Sequence, residues 1–154
     1  MTYWDSKESM HATESAGEQV RAQVQAEGGV ELLDLDRFEV ILQERVAPPA
    51  SGTFVRLNDT KAPPGRVDAV ADVLRGHLPE ARSAAGFRAL LVLANRETGR
   101  MLVGSIWNSA AEREASRQLA QRVGEELRAI RGDASVKTEG YEVVYSDFKL
   151  PAPV

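Results

Sequence analysis

The chain has 154 residues, with a hydrophobic share of 43%, a charged share of 27%, a formal net charge of -4 and no cysteine. That length holds one ordinary domain, or one domain plus a substantial fragment, and the missing cysteines exclude disulfides and thiolate metal sites. The acidic balance argues against nucleic acid or an anionic membrane surface as the main partner.

Lys7 to about Glu27 reads as a helix, because Ala12, Ala16, Val20 and Val24 recur at a four-residue spacing, with Asp5 or Ser6 as the cap. Gly28-Gly29 closes it, since glycine reaches the left-handed conformation that ends helices. Arg37 to Val46 alternates as a strand, and the Ala47–Gly52 run APPASG tolerates neither helix nor central strand. Thr53 to about Thr60 is a second strand. Pro63-Pro64-Gly65 opens a helix to about Ala84 with Val67, Val70, Leu74, Leu78 and Ala81 on one face, and Pro79 predicts a break near His77. Phe87–Ala94 and Met101–Trp107 are strands joined by a hairpin turn over Arg96–Gly99. Ser109 and Glu112 have capping-box spacing, and Ala111, Ala115, Leu119, Val123, Leu127 and Ile130 form a stripe on one continuous helix ended by Gly132. Lys137 to Lys149 is the last strand.

From Thr53 onward the order is β-α-β-β-α-β, the plan of an α+β, ferredoxin-like unit with both helices on one sheet face. Sliding residues 1–45 by 103 places them over 104–148 without a gap, with eight identities: Trp4/Trp107, Ser6/Ser109, Ala12/Ala115, Val20/Val123, Ala26/Ala129, Gly29/Gly132, Glu39/Glu142 and Val40/Val143. This predicts a truncated half unit (βαβ) over residues 1–46, a linker over 47–52 and a complete domain over 53–150. The half unit lacks its own first β-α-β, so a homodimer or higher homo-oligomer is expected to complete it.

The stretch from Phe54 through Ser109 resembles the antibiotic-biosynthesis-monooxygenase group of dimeric α/β-barrel proteins. The residues that carry the likeness are Ala62-Pro63-Pro64-Gly65, Ala85-Gly86-Phe87-Arg88-Ala89, Glu97-Thr98-Gly99-Arg100 and Trp107-Asn108-Ser109. The resemblance implies two sheets packed into a barrel, and activities such as cofactor-free oxygenation of aromatic polyketides or oxidative haem degradation. It carries Asn58, seven residues before Gly65, and Trp107 over as catalytic residues. Arg117 stands where haem-degrading relatives have an axial histidine (Glu14 in the half unit), which disfavours haem, because a guanidinium does not deprotonate to ligate iron. Val103 and Arg113 stand where cofactor-free oxygenases of the group have Asn and Tyr.

Two readings of these residues stand side by side. Trp107 either lines a ligand cavity or locks the strand end onto the helix. Arg56 and Asn58 project from one side of their strand and either orient an oxyanion or sit on a solvated edge or bond to the nearby turn. His11 and His77 lack partners at metal-ligand spacing, so neither metal nor any other cofactor is expected. The functional expectation is a cytoplasmic, cofactor-independent monooxygenase acting on a small aromatic or polyketide-like molecule; the alternative is a non-catalytic barrel that binds ligands or assembles. Neither nucleic acid nor membrane is an expected partner.

Overall fold

The computed structural model describes residues 4–29, 31, 35–132 and 134–146. Two compact units divide the chain, Met1–Asp36 and Arg37–Val154. No helix among the described residues is long and apolar enough to cross a membrane.

The second unit holds a five-stranded antiparallel sheet in the order β1-β3-β4-β2-β5. The strands are β1 (Glu39–Arg45), β2 (Phe54–Lys61), β3 (Phe87–Ala94), β4 (Arg100–Trp107) and β5 (Lys137–Glu142). Without β1, the remaining order β3-β4-β2-β5 is that of the ferredoxin-like plan, in which each helix returns the chain to a non-adjacent strand. β1 adds an outer strand beside β3, and ion pairs tie it to the helices. Arg96 bonds both Glu39 and Asp68, and Arg82 makes a two-point contact with Glu44 at 2.9 and 2.6 Å.

The break near His77 is present. A 3-10 turn over Pro64–Arg66 leads into α3 (Val67–Gly76), and α4 (Leu78–Ser83) follows with Pro79 in its first turn, where the missing N–H has no helical acceptor to lose. Val67, Val70, Leu74 and Leu78 are buried as the stripe requires, against Leu90, Val92, Met101 and Val103 of the sheet and Val123 and Leu127 of the last helix. The β3–β4 hairpin closes through Asn95, whose side chain accepts the N–H groups of Glu97 and Thr98 at 3.0 Å each. Gly99 sits at φ 71°, and a Cβ there would strike the Ala62 carbonyl, so only glycine fits.

The expected continuous helix after Ser109 is two helices, α5 (Ala110–Ala115) and α6 (Arg117–Arg131). Ser116 interrupts them, its hydroxyl donating to the Arg113 carbonyl at 2.7 Å in place of helical continuity. The interruption re-aims the stripe: Val123 and Leu127 are buried, Leu119 and Ile130 half-buried, and Ala111 and Ala115 exposed. β5 is also shorter than expected. Backbone bonds between Val143 and both Gly52 and Thr53 extend the pairing one residue past Glu142, after which the neighbouring strand has ended; residues 147–149 of that expectation lie outside the described residues.

The first unit is helical, with α1 (Lys7–Ala12) and α2 (Glu14–Gly28) interrupted at Thr13. Its expected opening strand falls on residues 1–3, outside the described residues. Thr13 and Ser116 differ by the same 103 positions as the sequence match, and so do the caps. Ser6 accepts from Ser9 N at 3.1 Å, Ser109 accepts from Glu112 N at 3.2 Å, and both closing glycines, Gly29 and Gly132, have positive φ. One difference separates the two helix pairs: Val20 and Val24 are exposed, whereas Val123 and Leu127 are buried.

Candidate functional site

Strand alternation puts Arg56, Asn58 and Thr60 on the helix-covered face of β2. The register sets them opposite Ser105, Val103 and Met101 of β4 and, for the first two, opposite Gly140 and Thr138 of β5. Two long-range bonds fix that orientation. Arg56 Nη1 donates to Ser116 Oγ at 2.9 Å, and Arg131 Nη1 donates to Thr60 Oγ1 at 2.7 Å. Arg56 Nη2 also donates to the Arg113 carbonyl, so one guanidinium spans the break between α5 and α6.

Between this face and the helices lies a cavity of about 780 Å³, within the ~300–1,000 Å³ usual for small-molecule sites. Its inner wall is apolar, formed by Val70, Leu74, Leu90, Val103, Val123 and Leu127. Trp107, 3% exposed, lines it with its Nε1–H donated to Ser105 Oγ at 3.0 Å and its ring edge-to-face with Phe87, centroids 5.4 Å apart. The indole is packed into the strand end and forms part of the cavity wall. Asn58 accepts the Thr138 hydroxyl on Oδ1 at 2.8 Å, and its amide Nδ2 has no hydrogen-bond partner among the described residues. The structure brings Arg56, Asn58 and Trp107 to one cavity wall.

The cavity's charge runs against the chain's: five arginines and three glutamates line it, in a protein of net charge -4. Burial holds the Arg56 guanidinium below its ordinary pKa, and the nearby cations of Arg113 and Arg117 add to that, while Glu114 opposes it. Burial does the same to Arg131, whose Nε is enclosed without a hydrogen-bond partner. The Arg113 guanidinium lies at Gly140 of β5, where the absence of a side chain leaves room for it; a Cβ there would come within 2.9 Å of Arg113 Cζ.

Sequence reasoning singled out neither Ser116 nor Arg131, and it treated Arg113 only as a departure from the group's tyrosine. Nothing local marks these residues, because their partners lie 57 to 71 positions away in sequence. His77 lines the cavity and bonds Glu126 at 2.7 Å, whereas His11 bonds Glu14 at 3.3 Å in the first unit. Among the described residues no group of three His, Cys, Asp or Glu side chains is placed to hold a metal ion. Trp4, the sequence counterpart of Trp107, is 43% exposed in the first unit and donates to Thr13 Oγ1 at 2.7 Å.

No protein-family model matches the chain, and no curated protein matches it. Solved structures do. An anthrone oxidase-like protein aligns with a TM-score of 0.63 at 18% identity, over 98% of this chain and 74% of its own. A ferredoxin-fold protein from Listeria monocytogenes, related to antibiotic biosynthesis monooxygenases and uncharacterised, aligns with a TM-score of 0.56 at 10% identity, over 77% of this chain and 70% of its own. A candidate antibiotic biosynthesis monooxygenase from Nitrosomonas europaea aligns with a TM-score of 0.53 at 11% identity, over 64% of this chain and 96% of its own. The likeness is one of fold.

Proposed function

We propose that this chain, which carries the α+β ferredoxin-like fold of the antibiotic-biosynthesis-monooxygenase-like proteins, binds a small aromatic or polyketide-like molecule in the cavity beside Trp107 and oxygenates it in the cytoplasm without metal, flavin or haem. One observation carries the reading: a cavity of ligand size has Trp107, Asn58 and Arg56 on a single wall. Trp107 offers an aromatic surface to a flat substrate. Asn58 Nδ2–H and the Arg56 guanidinium offer donors to a phenolate or enolate oxygen, lowering the cost of the electron-rich anion that reacts with O₂. In such a reaction a ring methylene becomes a carbonyl: one oxygen atom of O₂ enters the carbon, and the other leaves as water with the two hydrogens. The substrate itself is the reductant, so the electrons balance.

The second reading is a non-catalytic ligand-binding or assembly barrel. It is favoured by Val103 and Arg113, which supply no phenol or amide at the positions where the resemblance implies them. The test is oxygen uptake with 1,8-dihydroxyanthrone, a tricyclic phenol chosen because one aligned structure is described as anthrone oxidase-like. Uptake of one O₂ per molecule, above the uncatalysed rate and lowered by Trp107→Phe, supports the oxygenase. Saturable binding with no uptake supports the non-catalytic barrel, and neither uptake nor binding sinks both readings.

The other sheet face supports self-association. Val55, Leu57, Leu102 and Ile106 are half-buried there and Tyr141 is exposed, an apolar surface that a second copy of the chain would cover. The matched caps, helix breaks and closing glycines support origin of residues 1–46 as a copy of the unit's second half. A light-scattering mass of one 16.8 kDa chain at micromolar concentration would remove the self-association reading.

A further inference from the structure

Several cationic side chains of this chain are matched by carboxylates: Arg82 with Glu44, Arg96 with Glu39 and Asp68, Arg117 with Glu114, Arg122 with Glu80. Arg56 and Arg113, both on the cavity wall, are not. Neither has a carboxylate within ion-pair distance among the described residues. Arg56 is held by two neutral acceptors, the Ser116 hydroxyl and the Arg113 carbonyl. Arg113 lies where β5 carries no side chain, at Gly140, which is also the register partner of Arg56. Both guanidiniums thus line one cavity within reach of each other's charge, that of Arg56 at the helix break and that of Arg113 over Gly140, with Glu114 offsetting only part of the repulsion. Like charges held this close repel, and partial burial weakens the water screening that would relieve them. A ligand that brings negative charge relieves that repulsion. Planar forks of N–H donors suit a carboxylate or another oxyanion with two or three terminal oxygens.

The remainder of the cavity defines the rest of that ligand. Away from the arginine pair the walls are Leu74, Leu90, Val103, Val123, Leu127 and the Trp107 ring, which demand an apolar, ring-sized body. We infer that the cavity selects amphiphilic aromatic acids, with the acid group seated between Arg56 and Arg113 and the ring system against Trp107. This inference rests on the ligand-binding reading of the cavity and narrows it to one substrate class.

Two dyes with one skeleton test it. 1-Anilinonaphthalene-8-sulfonate carries an oxyanion, and N-phenyl-1-naphthylamine is the same body without it. Both brighten in apolar sites. In a Trp4→Phe background Trp107 is the sole indole, so quenching of its emission through energy transfer to a bound dye reports occupancy beside it. The expected result is that the sulfonate binds at least tenfold more tightly than the neutral dye. Arg113→Gln should weaken the sulfonate about tenfold and leave the neutral dye within twofold, while Arg113→Lys should retain part of the preference. Equal affinities for the two dyes in the unsubstituted protein overturn the inference and leave the cavity reading intact, a comparison that needs no variant to fold. Failure of both dyes to quench Trp107 overturns the inference together with the cavity reading.

Discussion

Gly140→Ala separates the arginine pair from the stability of the fold. Gly140 lies within β5 at a backbone conformation open to any L-residue, since it is absent from the positive-φ glycines. A methyl there would overlap Arg113 Nη1 and reach Cζ at 2.9 Å and Nη2 at 3.3 Å, the three nearest contacts. The obstacle is the far end of a flexible side chain, so the guanidinium moves and the strand stays. Replacing a strand glycine by alanine restricts the unfolded chain, so folding should be unchanged or gain up to ~1 kcal/mol. Displacing one of two guanidiniums that hold an oxyanion should cost the sulfonate dye ~1.5–3 kcal/mol, the range for a hydrogen bond to a charged group, or roughly ten- to a hundredfold in affinity. Urea unfolding and dye titration of the same preparation measure both effects. A loss of stability beyond ~2 kcal/mol would mean that the Arg113 position is required by the strand, and sulfonate binding within twofold of the unsubstituted protein would refute the role given to the pair.

Other substitutions probe the scaffold. Ser109→Ala removes the oxygen that accepts Glu112 N and donates to the Glu112 carboxylate, and should lower stability by ~1 kcal/mol in thermal unfolding. Gly99→Ala forces a side chain into positive φ and onto the Ala62 carbonyl, so it should cost more than ~2 kcal/mol, whereas Gly124→Ala within α6 meets nothing and should gain ~0.5–1 kcal/mol. Arg100 hydrogen bonds hold the Asp59 carboxyl below its ordinary range, against a smaller opposing effect of burial. A depressed folded-state pKa contributes stability above the unfolded pKa of about 4 and loses it as pH falls through the folded value. Asp59→Asn should therefore be less stable than the unsubstituted protein at pH 7 and show a shallower loss below about pH 4 in pH-dependent urea titrations.

Which features were readable in the sequence follows from how local their causes are. Pro79 announced the α3–α4 break, and the turn glycine and flanking apolar runs announced the β3–β4 hairpin, because each rests on the chemistry of neighbouring residues. The breaks at Thr13 and Ser116 were not readable, since Ser and Thr sit inside many helices and interrupt them only when their hydroxyls find another backbone partner. The placement of β1 was also hidden: its alternation marked a strand but said nothing of which edge it would join. In the site, strand periodicity alone put Arg56 and Asn58 on one side. The convergence of Arg113, Ser116 and Arg131 on them depends on how α5 and α6 cross the sheet, which no local pattern encodes.

The placement of β1 has a consequence for the strand it covers. Phe87–Ala94 carries the longest apolar run in the chain, Ala89–Ala94, and in the four-strand order β3-β4-β2-β5 it would form a border with its backbone N–H and C=O groups open to any passing strand. β1 occupies that border and brings Glu39, Gln43, Glu44 and Arg45 to the new outer rim. Charge at a sheet margin discourages strand-to-strand addition between molecules. A polypeptide begun at Thr53 would retain every residue of the cavity and still present its stickiest segment to its neighbours. In the present protein the strand before the linker covers that border, so the segment most prone to strand addition is not the one the sheet presents.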